Sequence, residues 1–197
     1  MRKPPSNAME AAAKRRRAHR CTLGGTEGEV ELVLIRHERP DDVEAIHAVH
    51  AASFPTNAEA QLVDLLRDAG RLSVSLVAEV DQTVVGHVGF SPVKVSSGAV
   101  GAGLAPAAVL ASNRRQGVAA QLVEAGLTAC LSAGFGWLVV LGEPDYYARF
   151  GFRPASEVGL VDEYGGGPAF QALELVAGSL PCGAGLVQYA PEFASLE

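Results

Sequence analysis

The chain has 197 residues and a formal net charge of −6; 48% of its residues are hydrophobic and 19% are charged. This length suits one domain with a real core, and the charge content is too low for a disordered protein. No stretch approaches the roughly 18 uncharged apolar residues that a membrane-spanning helix needs, which excludes an integral membrane protein. Cys21, Cys130 and Cys182 have no paired spacing, which disfavours a disulfide framework or a zinc knuckle.

The basic side chains are concentrated at the amino terminus. Residues 1–20 contain seven of the 16 lysines and arginines and one acid, which gives them a net charge of +6 and leaves −12 for the other residues. Residues 1–29 show no hydrophobic periodicity, so we expect a disordered basic extension before a single domain at residues 30–197. The acidic remainder disfavours nucleic acid as a partner and favours cationic small molecules. No apolar segment of the secretory kind follows the basic start, so we expect a cytoplasmic protein.

Two helices are predicted after a short first strand. The apolar run Val30–Ile35 predicts the strand. Asp41, with Glu44 three residues later, has the pattern of a capping box and predicts the start of the first helix. Thr56 with Glu59 repeats this pattern, and the apolar residues after them recur with helical spacing. A second helix is therefore predicted from this point.

A β hairpin and a further strand follow the helices. The runs Ser73–Val80 and Thr83–Val95 are rich in β-branched residues, and the two-residue gap Asp81-Gln82 between them predicts a tight hairpin. Val100–Leu110 is a third apolar run. It is interrupted by glycines and by Pro106, which predicts an edge strand or a bulge.

The remaining elements alternate between helix and strand. Apolar residues at helical spacing from Val118 predict a helix that ends before Gly134. We then expect a buried strand, a short helical turn and two final strands, at Trp137–Leu141, Asp145–Phe150, Leu173–Val176 and Gly185–Tyr189. The predicted fold is a mixed α/β (α+β) sheet in one domain without internal repeats.

The most informative segment connects a strand to a helix. The polar loop Ser112–Gln116 contains Arg114 and Arg115, and the helix after it opens with Gly117 and the small Ala119. A helix N-terminus presents unpaired N–H groups and a positive dipole end, and the glycine lets a ligand approach the backbone closely. This pattern predicts a site for an anion, with a diphosphate as the natural ligand. Neither a Walker loop nor a dinucleotide-binding fingerprint is present.

Two segments in this order resemble a known family. Arg114–Ala119 is similar to the Arg/Gln-x-x-Gly-x-Gly/Ala loop of the GNAT superfamily of N-acetyltransferases, and Tyr147–Phe152 is similar to its Tyr-x-x-x-Gly-Phe signature. The longer string Gly142–Phe152 resembles a branch of predicted acetyltransferases whose acceptors are largely undefined. The resemblance runs from about Val33 to Tyr189.

The resemblance implies a fold and a mode of cofactor binding. The fold would be a mixed, mostly antiparallel sheet of six or seven strands flanked by helices, in which the parallel fourth and fifth strands splay apart. The pantetheine arm of acetyl-CoA would lie in that gap and pair with the backbone of Val109 and Leu110 as an added strand. The pyrophosphate would bind at the loop and helix start, formed by Arg114, Arg115, Gln116, Gly117, Val118 and Ala119.

The implied activity is transfer of an acetyl group from acetyl-CoA to an amine, on a small molecule or a protein, by direct attack in a ternary complex. By resemblance, Tyr147 stands near the thioester sulfur, where a phenol that titrates near ~10 is protonated and can donate to the departing thiolate. Tyr146 is the adjacent alternative. Only one of the two should face the cofactor, because neighbouring helical residues point about 100° apart.

The sequence does not identify the general base of this reaction. Residues 98–111 contain no Asp, Glu or His, although many members of the family have an acidic side chain on the corresponding strand. His87, Glu143 and a water chain are the candidates. A further departure is Val140, which stands seven residues before Tyr147, where many members have an asparagine that contacts the cofactor.

Other kinds of site and function are less well supported by the sequence. His47 and His50 lie three residues apart on a predicted helix, but no third metal ligand is evident nearby, so we expect no metal. No pattern of a covalent nucleophile is present. The alternative function is a non-catalytic module that binds and senses acyl-CoA. A homodimer is possible, and the amine acceptor is not identified by any motif.

Overall fold

The computed structural model describes residues 32–181, 183 and 185–196. The predicted basic extension at residues 1–29 and the start of the first predicted strand lie outside the described residues. Among the described residues the strands are β1 (Leu34–His37), β2 (Val74–Val80), β3 (Thr83–Val95), β4 (Val100–Val109), β5 (Trp137–Leu141), β6 (Arg153–Pro154), β7 (Leu160–Asp162), β8 (Phe170–Glu174) and β9 (Gly185–Gln188). The helices are α1 (Val43–Ala51), α2 (Ala58–Asp68), α3 (Val118–Ser132) and α4 (Pro144–Tyr147).

The strands form one mixed sheet. Its main order is β1-β2-β3-β4-β5-β8-β6, and every pair along this path is antiparallel except β4 with β5. β9 pairs with the far end of β3 and runs parallel to β7. The predicted mixed, mostly antiparallel architecture is confirmed. The strand count exceeds the six or seven that the resemblance implies, because the sheet also includes the very short β6 and β7, of two and three residues.

The hairpin between β2 and β3 forms where the sequence predicts it. Asp81 and Gln82 both have positive φ, at 46° and 64°. A two-residue turn with two left-handed residues matches the right-handed twist of the strands it connects. The hairpin therefore fixes the register of β2 against β3.

The sheet opens between β4 and β5, as expected. Val88 pairs with Ala107 and Phe90 pairs with Leu104, so β4 contains one residue more than β3 between these pairs. This bulge lies in the segment that contains Pro106, as predicted. β4 and β5 pair only at Ala102–Leu138 and Gly103–Val139, beside the bulge. Beyond those pairs the two strands separate, which leaves the last part of β4 without a neighbour on the β5 side.

Helices cover both faces of the sheet. On β2, the alternate residues Leu76 and Ala78 pack in the same core cluster as Leu122 of α3, whereas Val77 packs with Ile46 of α1. Successive residues of a strand point to opposite faces, so α3 covers one face and α1 covers the other. No helix among the described residues is long and apolar enough to span a membrane.

Two predicted boundaries are wrong. The entry to α1 is formed by Asp42 rather than by Asp41 and Glu44: the Arg39 N–H donates to Asp42 Oδ2 at 2.7 Å, and Arg36 holds both oxygens of that carboxylate, at 2.6 and 2.9 Å. The strand predicted at residues 173–176 is β8, which begins earlier, at Phe170, because its register is set by pairing with β5.

Candidate active site

A first cavity lies where β4 and β5 separate. It has a volume of about 300 Å³. β4 contributes Ala107–Val109, α3 contributes Ala119, Leu122 and Val123, and the segment after β5 contributes Tyr146 and Tyr147; Ser53, Phe54 and Arg114 complete the lining. The gap that the family resemblance implies between the fourth and fifth strands is therefore an open space with mainly apolar walls.

The loop at one end of this cavity has the backbone form of an anion site. Arg115 and Gly117 adopt left-handed conformations, with φ of 62° and 82°. The first hydrogen bond within α3 runs from Gln121 N to Gly117 O, so the N–H groups at the start of the helix have no partner inside it. A Cβ added at Gly117 would have only Gln121 Nε2 within 4 Å, at 3.9 Å. The loop thus exposes backbone donors beside free space.

The two arginines of the loop are held differently. Arg114 Nε donates to Val109 O at 2.8 Å, and its Nη2 reaches Ser53 O at 3.5 Å. Arg114 therefore ties the end of β4 to the loop after α1. Arg115 is exposed and makes no side-chain hydrogen bond or ion pair with a described residue. Its guanidinium remains available to an anion.

The predicted pairing of Leu110 with pantetheine conflicts with its position. The Leu110 N–H donates to Val85 O, and the Leu110 carbonyl accepts from the Asn113 N–H, both at 2.9 Å. Backbone groups along a strand point alternately to its two sides. Because the N–H of Leu110 points to β3, the N–H groups of Val109 and Ala107 point to the gap. Of the two residues predicted to pair with pantetheine, Val109 thus faces the gap and Leu110 does not.

Tyr147 occupies the end of α4, directly after β5. Its ring packs edge-on against Phe152, with centroids 5.7 Å apart. A Cβ added at Gly142 would lie 2.4 Å from Tyr147 Cε2, so the glycine makes room for the ring. Burial, with Tyr146 beside it, raises the pKa of Tyr147 to about 12. The phenol is consequently protonated at neutral pH and can act only as a proton donor there.

Tyr146 is in a different position. Its ring lies under the Arg149 guanidinium, 4.6 Å from the ring centroid, and its Oη is buried without a hydrogen-bond partner among the described residues. Burial also raises the pKa of Tyr146. Tyr146 lines the first cavity only. Tyr147 is thus the tyrosine of this pair that also reaches the space described next.

A second cavity of about 430 Å³ adjoins the first. Phe54, Ala107 and Tyr147 line both cavities, so the two spaces meet around these residues. The remaining walls of the second cavity come from α2, β4, β5 and the C-terminal part of the chain: Glu59, Leu104, Ala105, Pro106, Leu141, Tyr164, Tyr189, Phe193 and Leu196. Two spaces that meet at one protonated phenol can bring two reactants together.

His87 is not at this junction. Its ring is fully buried; Nδ1 lies 2.8 Å from His50 Nε2, and Nε2 lies 2.8 Å from Ser75 Oγ. Ser75 Oγ in turn donates to Glu38. Burial, with His50 next to it, lowers the pKa of His87 well below its usual value. The candidacy of His87 as general base is therefore wrong.

Glu143 does not line either cavity, and its carbonyl accepts the Tyr147 N–H at 3.2 Å, so this residue begins the turn of α4. The acid that lines the second cavity is Glu59, which shows only the pattern of a helix cap in the sequence. Its position in the first turn of the amphipathic helix α2 gives no signal of a site.

Metal ligands do not converge in the described residues. No group of three or more His, Cys, Asp or Glu there could hold a metal ion. His47 and His50 point to different partners: His47 Nδ1 lies 2.7 Å from Asp64, whereas His50 contacts His87.

The fold and the loop geometry agree with the family that the sequence resembles. The sequence model of the acetyltransferase (GNAT) domain matches residues 34–155. The chain belongs to this family of acetyltransferases.

Individual relatives support the assignment. The uncharacterized N-acetyltransferase YhbS of Escherichia coli K12 is 42% identical over 164 residues, which cover 82% of this chain and 98% of that protein. The crystal structure of E. coli YhbS in complex with CoA has a TM-score of 0.80 at 40% identity and covers 87% of this chain and 96% of that one. A GNAT acetyltransferase from Brucella melitensis in complex with acetyl-CoA has a TM-score of 0.70 at 34% identity, with 83% and 99% covered.

Proposed function

We propose that this protein transfers the acetyl group of acetyl-CoA to an amine by direct attack, with the donor in the first cavity and the amine in the second. The observation that carries the proposal is that Tyr147 lines both cavities at the place where they meet. A single residue at that junction can contact both the bond that breaks and the bond that forms.

The lining of the first cavity is suited to acetyl-CoA. The left-handed residues Arg115 and Gly117 and the free N–H groups at the start of α3 suit the pyrophosphate. The gap-facing N–H groups of Val109 and Ala107 suit the carbonyl groups of pantetheine, which can add to the sheet as an extra strand. The E. coli and Brucella relatives crystallised with CoA and acetyl-CoA support the same ligand.

Direct attack is favoured because the cavity walls supply no good nucleophile for an acetyl-enzyme. Among the described residues that line the two cavities, Ser53 has the only aliphatic hydroxyl, and its Oγ donates to Val109 O at 3.4 Å. No side chain of the described residues that could act as a general base is hydrogen-bonded to that hydroxyl. Cys130 lies within α3, where burial raises the pKa of its thiol to about 12. A thiol so rarely ionised is a poor nucleophile.

Tyr147 supplies the proton that the reaction needs on the leaving sulfur. Its raised pKa keeps the phenol protonated at neutral pH, and a positioned proton donor typically contributes a factor of about 10²–10⁴ to the rate. The acceptor is an amine, on either a small molecule or a protein. The alternative, a module that binds acyl-CoA without chemistry, would not need this phenol.

The substitution Tyr147→Phe tests the proposal. We expect kcat for thiol release to fall about 10²–10⁴-fold, because the ring and its packing remain and only the donated proton is lost. CoA affinity, measured by calorimetry, should be unchanged. Tyr146→Phe is the matched variant, and its kcat for thiol release should fall much less than that of Tyr147→Phe.

Three outcomes would contradict the proposal. An equal loss of turnover and CoA affinity in Tyr147→Phe would make the residue a binding or packing residue. A larger loss of turnover in Tyr146→Phe would transfer the role to its neighbour. CoA binding without thiol release, across a broad series of amines, would favour the acyl-CoA-sensing module.

A further inference from the structure

The second cavity is apolar except at one side. Six of its lining residues are aliphatic or proline, and five of the others carry aromatic rings. Tyr189 contacts Tyr164 and Phe193, with ring centroids 5.6 and 5.1 Å apart, so three of these aromatic residues form a continuous wall. No lysine or arginine lines this cavity among the described residues. Such a surface suits an apolar or aromatic group and offers nothing to pair with an anion.

Glu59 is the only carboxylate among the described residues that line this cavity. It is the second residue of α2 and is half-buried. Its carboxylate has one weak polar contact, from Thr56 Oγ1 to Oε2 at 3.5 Å, and no ion pair with a described residue. Asp64, one and a half turns further along the same helix, is instead paired with His47 and Arg67. Glu59 thus has no cationic side chain to pair with among the described residues, and it lies at the edge of an apolar space.

A carboxylate that lines an apolar cavity without a paired cationic side chain favours a cationic ligand. A charge that is partly removed from water is stabilised by an opposite charge at short range, and the faces of aromatic rings also attract ammonium groups. The ligand that fits both the acid and the walls is a primary amine with an apolar or aromatic body.

We propose that Glu59 binds the ammonium group of the acceptor and acts as the general base, and that the acceptor is a primary amine on an apolar or aromatic body. This inference rests on the proposed function, because it takes the second cavity as the acceptor site. It also supplies the base that the sequence leaves open.

The proton balance of the reaction is complete with these two side chains. Glu59 takes one proton from the ammonium group and passes it to solvent, which frees the nitrogen lone pair. The nitrogen forms a bond to the acetyl carbon, and the carbon–sulfur bond breaks with its electron pair on sulfur. Tyr147 Oη gives its proton to that sulfur, and the second proton lost from nitrogen restores the phenol. The products are the amide, the free thiol of CoA and one released proton.

The substitution Glu59→Gln tests the role of the carboxylate. With phenethylamine as the test amine, we expect kcat/KM at pH 7 to fall about 10²–10⁴-fold, whereas CoA affinity and Tm stay unchanged. The loss should shrink as the pH rises toward about 10, where the amine is neutral in solution without a base. A residue with a purely structural role would not change the pH profile in this way.

Glu44→Gln is the matched control. Glu44 is also the second residue of its helix, α1, and it is exposed and lines neither cavity. We expect this variant to keep the kcat/KM and the pH profile of the native protein. Any loss that it shared with Glu59→Gln would be an effect of altering a helix start.

A series of three amines tests the class of acceptor. We expect kcat/KM for phenethylamine to exceed that for methylamine by at least about tenfold, because the aromatic ring is removed from water in the cavity. Phenylalanine should be a poor acceptor, because its carboxylate would lie near Glu59 without a cation to pair with.

The outcomes separate this inference from the proposed function. If the native protein acetylates amines and Tyr147→Phe abolishes turnover, but Glu59→Gln keeps the native rate and pH profile, the assignment of the base is wrong and the proposed function stands. If methylamine or phenylalanine is preferred to phenethylamine, the acceptor class is wrong. If no amine releases thiol although CoA binds, the proposed function itself is wrong.

Discussion

The histidines His50 and His87 form a fully buried pair beneath the site. Their ring nitrogens lie 2.8 Å apart, and the outer nitrogen of His87 contacts Ser75. His50 Nδ1 has no hydrogen-bond partner among the described residues. The ring of His50 also stacks parallel to Phe54, with centroids 6.0 Å apart, so the pair supports a residue that lines both cavities.

This pair predicts a loss of stability in mild acid. Burial lowers the pKa of His50 to about 4, against the weaker opposing effect of Asp64, and burial also lowers the pKa of His87, with His50 and Arg67 adding to the shift. Between pH 6.5 and about 4 the unfolded chain therefore binds protons that the folded chain does not. The free energy of unfolding should therefore have its full value above pH 6.5. It should fall by up to about 1.4 kcal/mol per pH unit for each histidine as the pH drops through this range.

Urea unfolding at pH 7.5 and pH 5 measures this effect. His47→Gln is a control, because His47 is partly exposed and lies outside the pair. His87→Gln should lower the stability at pH 7.5 but make it depend less on pH. A native protein whose stability is the same at the two pH values would contradict the buried neutral pair.

Residue-level predictions from the sequence were reliable only where local chemistry decides the outcome. Asp81 and Gln82 form the expected hairpin because two residues between strands allow few conformations. The direction of the His87 ring could not be predicted, since it depends on which face of β3 meets α1. The sequence shows Glu59 only as a helix-capping residue, because the cavity beside it is formed by segments distant in the sequence.

At the scale of the element, the two arginines of the loop before α3 have different roles. Arg114 is bonded to Val109 O and to Ser53 O and contributes to the fold, whereas Arg115 is free to meet a phosphate. We predict that Arg115→Ala lowers CoA affinity about tenfold or more without changing Tm, since hydrogen bonds to charged groups contribute about 1.5–3 kcal/mol. Arg114→Ala should lower both CoA affinity and Tm.

Calorimetry with CoA and thermal unfolding distinguish these variants. Arg153→Ala is a suitable control, because Arg153 is an exposed arginine on β6 that lines neither cavity. It should bind CoA as the native protein does. Unchanged CoA affinity in Arg115→Ala, or an equal loss in Arg153→Ala, would contradict the assignment of Arg115 to the phosphate.

Elements with a strong local pattern were predicted well. The bounds of β5 match the structure, and α3 begins at Val118 as predicted, because an apolar run and a helical repeat identify these elements without outside information. The predicted bounds of β8 are shifted because its extent follows from its pairing with β5. That pairing joins Trp137 to Glu174 and Leu141 to Phe170. Pairing between distant segments is not encoded in a local pattern.

At the scale of the whole molecule, the two cavities are assembled from distant parts of the chain. The loop Ser112–Gln116 and the tyrosine segment each carry a local motif, so the sequence alone singles out Arg114 and Tyr147, which line the first cavity. The second cavity combines Glu59 of α2 and Ala107 of β4 with Tyr189 and Phe193 near the C-terminus. No motif joins these residues, and only the folded arrangement shows that they share a space with Tyr147.

The central claim is that the gap between β4 and β5 holds acetyl-CoA with its sulfur beside Tyr147. A crystal structure of this protein with bound CoA tests it through two distances, from the sulfur to Tyr147 Oη and to Tyr146 Oη. We predict that pantetheine lies along Val109 and that the sulfur is within about 4 Å of Tyr147 Oη and further from Tyr146 Oη. Pantetheine outside the gap, or a sulfur closer to Tyr146, would contradict the claim.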